Sequence, residues 1–404
     1  MLLSDICHIT SGTGGRMTTI LQIVPQMKPG GVEFYTLRLV DAIVRAGGRA
    51  LVASADGALV PDIVRLGGEH ISFPADSKNV LAWPTLARRL AKLIADENVD
   101  LVHVGSRAPA WMCRLAQRHH RTPLVTTYHG AYSQNIPLKS FYNRVMARGD
   151  LCLVGSRFTE RLVGERHAIS PDKLVRIQLG IDPACFDPSA VSHERQEALR
   201  RSWGVTADQR LLLSAGRLVS LKGHDVVIKA ADDVLRAHDD AVIVIAGDDL
   251  GRTVYRDKLN ALASASIDPA RIKLVGHCDD MAAAFLISHA SIIGSVRPET
   301  FSYVAVESQA MTCPVISANA GAVSDTLDTE QDDTRTGWLY PPADAEAMAK
   351  RIIAALNMTA DDRAAIGTRC RERVLSRFTL ERMQHETLAQ YDRLLGTELA
   401  ETFR

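Results

Sequence analysis

Short apolar runs return along this chain at intervals that leave room for one helix between each pair, and that rhythm restricts the fold more than any single motif. A first series comprises Ile20–Val24, Ala50–Ala53, Leu101–Val104, Leu124–Thr127 and Leu151–Val154. After a polar stretch around Pro188–Glu197 a second series follows, with Leu211–Ser214, Val242–Ala246, Ile272–Val275, Ser291–Ile293 and Val315–Ser317. Strand-length runs separated by helix-length gaps imply crossover connections and mainly parallel sheets. At 404 residues the chain is too long for one ordinary core, so two series predict two α/β domains. A ligand is then expected in the cleft where strand C-termini of both domains face each other, as open α/β sheets prefer.

The expected divisions are an extension over 1–16, a first domain over 17–185, a linker over 186–205, a second domain over 206–378 and a terminal helical segment over 379–404. That last segment carries an apolar stripe of Leu380, Met383, Leu388, Tyr391, Leu394 and Leu395, the pattern of an amphipathic helix. The opening residues include Ser11-Gly12-Thr13-Gly14-Gly15. They lack the Lys-Ser/Thr ending and the preceding strand that a phosphate loop needs, and are read as a disordered extension or an upstream start before Met17.

No apolar run approaches the roughly 20 residues needed to span a bilayer, and no signal-peptide pattern is present; the expected location is the cytoplasm. Seven scattered cysteines form no Cys-x-x-Cys pair, and an odd count argues against a full disulfide framework. No cluster has metal-ligand spacing, so neither a metal nor another cofactor is expected. Nothing resembles a helix-turn-helix, a zinc finger or an aromatic stacking motif for nucleic acid.

Two segments carry the chemistry. In Arg297 to Glu307, Glu299 and Glu307 are separated by seven residues where an apolar strand gives way to a helix. On a helix that spacing spans about 12 Å at 1.5 Å per residue, so two carboxylates on one face would touch opposite ends of one elongated ligand; a helix with two glutamates also commonly just shows water a polar face. Upstream, Ser214 to Asp225 follows the strand-like Leu211–Leu213 and places Gly216, Arg217 and Lys222 in a loop before the next helix. Arginine offers a planar fork and lysine a compact ammonium, a pair suited to the charge on a leaving diphosphate.

Together with Gly180-Ile181-Asp182 and Phe186, these segments resemble the retaining glycosyltransferases of family 4 (group 1), whose GT-B fold has two Rossmann-like domains facing across a cleft. The resemblance covers nearly the whole chain. It implies that Arg217, Lys222, Glu299 and Glu307 bind a nucleotide-diphosphate sugar, and that the terminal helix crosses back onto the N-terminal domain. His129, in Thr126-Thr127-Tyr128-His129-Gly130, falls where the family places a histidine near the transferred sugar; taken alone it would more often be structural. Gly247 and His277 resemble segments bordering the nucleotide base, and Thr300, Phe301 and Ser302 complete the donor set. Many relatives carry Gly where this chain has Ser302, and a positive φ there would be strained. Gly30 and Gly31 follow the first strand and open a helix; they read either as a plain tight turn or as a close backbone approach to an anion, and beside the family pattern they are assigned to the donor site.

The segments around Arg107, Tyr132 and Arg144 are similar to bacterial lipopolysaccharide core glycosyltransferases, including mannosyltransferases, and these residues are the acceptor-side candidates. Residues 1–190 carry 22 Lys and Arg against 16 Asp and Glu in a chain of zero formal charge. That basic excess, with Arg88, Arg89 and Lys92 on one helix and Arg114, Arg118 and Arg121 beyond it, fits either a solvated face or contact with an anionic membrane or phosphorylated acceptor. The expectation is a metal-independent retaining hexosyltransferase using GDP-mannose or a UDP-hexose and acting on a glycolipid, namely lipopolysaccharide core, at the inner face of the plasma membrane. The rivals are a sugar-nucleotide epimerase of similar fold and a non-catalytic sugar-nucleotide binding protein.

Overall fold

The computed structural model describes residues 16–133 and 136–404, so the expected extension lies, but for Arg16, outside the described residues. Seven strands form the first sheet: β1 (Thr19–Gln26), β2 (Arg49–Ala55), β3 (Glu69–Ser72), β4 (Leu101–Val104), β5 (Leu124–Thr127), β6 (Leu151–Val154) and β7 (Leu174–Arg176). Their order is β3-β2-β1-β4-β5-β6-β7. Six form the second: β8 (Arg210–Ala215), β9 (Ala241–Ala246), β10 (Ile272–Gly276), β11 (Ser288–Ile293), β12 (Val315–Ala318) and β13 (Gly337–Tyr340), in the order β10-β9-β8-β11-β12-β13. The strand pairings are parallel, with helices in the connections. Two parallel α/β sheets of this kind fit the GT-B architecture that the resemblance implies.

Each of the ten apolar runs coincides with a strand. The three strands not expected, β3, β7 and β13, all lie at sheet edges. An edge strand pairs on one side only and tolerates short or polar sequences, as in Glu69-His70-Ile71-Ser72, so it leaves a weak apolar signal.

The second sheet is buried on both faces. Leu211, Leu213, Val242 and Val244 pack on one side with Trp203, Phe285 and Met311, while Leu212, Ile243 and Ile245 pack on the other with Val227, Val234 and Ile352. Side chains of a strand alternate between faces, so central strands covered on both sides must be apolar throughout, which is why β8 and β9 are the clearest signals in the chain.

By compactness the chain divides into two units. One holds the described residues through Val104, together with Trp111–Leu124 and Leu388–Arg404; the other holds Gly105–Ala110 and Val125–Thr387. In the first, the C-terminal residues are tied down by polar and cationic contacts. His103 Nδ1 on β4 lies 2.6 Å from the Tyr391 hydroxyl, Thr402 Oγ1 donates to Ala46 O at 2.9 Å, and the Arg45 guanidinium sits 4.4 Å above the Phe403 ring. In the second, Gly180 passes so close to Thr379 that a Cβ would fall 2.1 Å from its carbonyl oxygen, and Ile181 N donates to Phe378 O at 2.9 Å.

Six cysteines are described and none is disulfide-bonded; Cys113, Cys152, Cys313 and Cys370 are buried. Among the described residues no helix is long and apolar enough to cross a membrane.

Candidate active site

Within the second unit, the loops leaving the C-terminal ends of β8, β9 and β10 are locked to one another through their backbones. Gly216 N donates to Ala246 O at 2.9 Å, Leu218 N to Asp248 O at 2.9 Å and Gly247 N to Gly276 O at 2.7 Å. Gly247 has a packing reason to be glycine, since a Cβ there would lie 1.8 Å from Gly216 O. Beyond Gly216 the chain makes a short turn over Ser220–Lys222 and enters the helix His224–Ala237 through Gly223. Gly223 has φ +66°, and a Cβ would sit 1.9 Å from Gly294 O. Both conditions exclude a side chain. The loop is thus held at both ends, with Arg217 exposed and Lys222 turned inward.

Lys222 Nζ donates to Glu299 Oε2 at 2.7 Å, with both side chains less than one-fifth exposed, and the Ser295 hydroxyl donates to Glu299 Oε1. Ser295 was not expected from the sequence; its signal is its position just past β11, directly after Gly294. The backbone of Glu299 bridges Gly321, and Ala322 N donates to Glu299 O at 2.8 Å. Gly321, at φ +78°, would place a Cβ 2.4 Å from Glu299 O. The carboxylate is therefore fixed through backbone and side chain alike.

The expected placement of both glutamates on one helical face is corrected here. The helix spans Tyr303–Ala310 and carries only Glu307, which is half-buried; Glu299 precedes it in an irregular segment. The pairing of Glu299 with the strand-end loop at Gly321 keeps it out of the helix, so the 12 Å separation estimated for one helix does not apply. The expected strain at Ser302 is absent as well: its φ is −114°, and its hydroxyl accepts from Ala305 N at 3.4 Å, capping that helix. Serine is a favoured N-cap because its oxygen satisfies one of the first free N–H groups.

Thr300 Oγ1 donates to the backbone carbonyl of His129 at 2.7 Å, and Thr159 Oγ1 donates to Thr300 O at 3.4 Å. The structure thus brings His129 to the segment that carries Glu299, and it occupies the Thr300 hydroxyl with a protein carbonyl. Burial lowers the His129 pKa to about 4, so the ring is neutral at neutral pH. Phe301 is buried, edge-on to Tyr303 with ring centroids 5.0 Å apart. His277 is exposed and lies 3.1 Å from Asp279, next to Gly276 at φ +73° in open space.

Of the acceptor-side candidates, the structure joins two. The Arg107 guanidinium lies 4.2 Å from the Tyr132 ring centroid and 5.3 Å from that of Tyr142, and donates to Asn143 Oδ1 at 2.8 Å. Arg144 is exposed. Gly30 and Gly31 belong to the other compact unit. Gly30 caps the helix Gly31–Arg45 at an extended φ of −176°, and neither residue has positive φ. A Cβ on Gly30 would meet the Glu33 carboxylate at 2.4 Å, so this helix start has its own anion at hand. Among the described residues no three His, Cys, Asp or Glu form a group able to hold a metal ion.

Residues 29–184 match the model of Glycosyltransferase Family 4, and residues 195–373 match the model of Glycosyl transferases group 1. With two parallel α/β domains and basic and acidic loops at strand C-termini, the chain is a glycosyltransferase of GT-B architecture. It is 26% identical over 414 residues to a D-inositol 3-phosphate glycosyltransferase of Mycobacterium bovis, covering 98% of this chain and 82% of that protein. It is 24% identical over 366 residues to a phosphatidyl-myo-inositol mannosyltransferase of Mycolicibacterium smegmatis, covering 86% of each. Among solved structures, a glycosyltransferase from Rickettsia africae superposes with a TM-score of 0.86 at 29% identity, over 94% of this chain and 99% of that one. Anabaena Alr3699/HepE in complex with UDP-glucose gives 0.78 at 21% identity, over 93% and 99%.

Proposed function

We propose that this enzyme is a retaining, metal-independent hexosyltransferase that moves a sugar from a nucleotide diphosphate to an anionic glycolipid. The observation that carries the reading is the Lys222–Glu299 pair, held at 2.7 Å among strand-end loops, with Arg217 exposed in the same loop as Lys222. Arg217 and Lys222 neutralise the departing diphosphate, the role that preorganised cations serve best in a partly dehydrated site. Glu299 and Glu307 hold the sugar and ribose hydroxyls of the donor, and neutral His129 contributes to the sugar site. The anomeric carbon–phosphate oxygen bond breaks while a bond to the acceptor hydroxyl forms on the same face of the sugar. The acceptor proton passes to the leaving phosphate, so Glu299 acts as a sugar ligand rather than a nucleophile.

Mannose from GDP is the first donor to test, with UDP-hexoses second. The phosphatidyl-inositol mannosyltransferase relative supports mannose and a lipid acceptor, and the complex of the Anabaena protein with UDP-glucose supports the alternative carrier. Lipopolysaccharide core is the proposed acceptor, reached at the inner face of the membrane. Exposed Arg88, Arg114 and Arg118 support an anionic partner.

The test is calorimetric binding of a panel of sugar nucleotides, with and without a truncated lipopolysaccharide extract, followed by assay of released nucleotide diphosphate and of product anomeric configuration. Release from one donor only when glycolipid is present, with configuration kept, is the expected result. A changed sugar without release would indicate epimerisation, and no binding of any donor would overturn the reading.

A further inference from the structure

A buried histidine outside the expected set stands directly behind the basic loop. His224, the first residue of the helix His224–Ala237, is 1% exposed. Its Nε2 lies 3.2 Å from Gly216 O and its Nδ1 lies 3.0 Å from Ser214 Oγ. The protonation follows from the partners. A carbonyl oxygen only accepts, so Nε2 carries the hydrogen and donates to Gly216; Nδ1 then accepts, and the Ser214 hydroxyl donates to it. Burial lowers the His224 pKa to about 4, against the opposing pull of the Gly216 and Arg217 carbonyls, so this neutral tautomer holds at neutral pH.

The consequence lies on the far side of the peptide. Among the described residues the peptide bonds are trans, and in a planar trans peptide the C=O and the following N–H point in opposite directions. Holding Gly216 O toward His224 therefore directs the Arg217 N–H away from the helix. That N–H makes no hydrogen bond to the described residues, whereas its neighbours Gly216 N and Leu218 N donate to Ala246 O and Asp248 O. The peptide cannot swing back, because Gly216 O is also packed against the Cα of Gly247.

We propose that His224 is a positioning residue for phosphate: through Gly216 it aims the Arg217 backbone N–H at the diphosphate of the donor, beside the Arg217 and Lys222 side chains. The inference rests on the reading of this loop as the donor-phosphate site. Gly216 O sets the tautomer, the Ser214 hydroxyl holds the ring from its other nitrogen, and the Gly216–Arg217 peptide supplies a donor that needs no reorganisation when charge builds on the leaving group.

The experiment measures binding of UDP, GDP and the corresponding free nucleosides to the full chain and to His224→Phe, His224→Gln and Ser214→Ala, with melting temperatures recorded alongside. A hydrogen bond to a charged group is worth about 1.5–3 kcal/mol, so His224→Phe should weaken the bound nucleoside diphosphate by about tenfold or more and leave nucleoside affinity unchanged. His224→Gln, whose amide keeps a donor for Gly216 O, should recover most of the loss, and Ser214→Ala should show a smaller loss of the same kind. Equal loss of diphosphate and nucleoside binding, or no loss in His224→Phe and Ser214→Ala, would overturn the proposal. Failure of the unaltered chain to bind either diphosphate would instead overturn the donor-site reading on which it rests.

Discussion

Lys222 Nζ and Glu299 Oε2, 77 residues apart in the chain, meet at 2.7 Å with both side chains largely withdrawn from water. The cation proposed for the leaving phosphate and the carboxylate proposed for the sugar are thus one hydrogen-bonded unit. Lys222→Ala should lower turnover on the order of a hundredfold or more, since losing one preorganised stabilising group costs about 2.7–4 kcal/mol. Groups in contact act non-additively, so Lys222→Ala combined with Glu299→Gln should cost clearly less than the sum of the single changes. An additive cycle in steady-state rates would show that the two act independently.

Gly223→Ala should be far more damaging than a glycine-to-alanine change at a helix start usually is. Positive φ costs an L residue roughly 1–2 kcal/mol, and the new methyl would also meet the Gly294 carbonyl at 1.9 Å. Thermal melts should show a drop of several degrees or loss of soluble protein. A Tm within about 1 °C of the parent would contradict the described loop packing.

Thr300→Val keeps the side-chain shape and removes the hydroxyl that donates to His129 O. About 1 kcal/mol is at stake. Turnover should fall about fivefold while nucleotide affinity stays level, because the donated bond ends on a protein carbonyl. A selective loss of donor affinity would mean that the hydroxyl serves the nucleotide instead.

Arg107→Lys should behave like Arg107→Ala rather than like the parent. Stacking against Tyr132 and Tyr142 together with a bond to Asn143 uses the flat guanidinium, and a lysine ammonium cannot reproduce that geometry. Denaturant unfolding should report about 1–2 kcal/mol lost in both variants; full stability in Arg107→Lys would count against the stacked arrangement.

Acid should destabilise the fold well before most carboxylates titrate. His129, His224 and His289 are each lowered by burial to about 4, from an ordinary value of about 6.5. Below pH 6.5 the unfolded chain binds protons that the folded chain excludes. Their contribution is complete above about pH 6.5 and is lost progressively as pH falls toward 4. Melting temperatures taken from pH 8 down to pH 4.5 should be level at first and then decline; a flat profile to pH 5 would show that these rings are not held neutral.

The sequence by itself determined the architecture. Central strands covered on both faces must be apolar end to end, and runs such as Leu211–Ser214 and Val242–Ala246 therefore announce themselves, while the edge strands β3, β7 and β13 do not. It also marked residues to watch: Arg217, Lys222 and Glu299 follow apolar runs or a glycine turn, and His129 stood out through the family resemblance. Tertiary structure decided how they are used. Spacing suggested one helix bearing Glu299 and Glu307, yet the backbone bridge to Gly321 holds Glu299 outside it. The hydroxyl of Thr300 is turned to His129, and Ser295 and His224, unremarkable in sequence, stand against the carboxylate and behind the basic loop. Local periodicity records which faces a segment buries. Which distant side chain fills the space beside a carboxylate or a carbonyl depends on how separate loops pack, and no period in the sequence carries that.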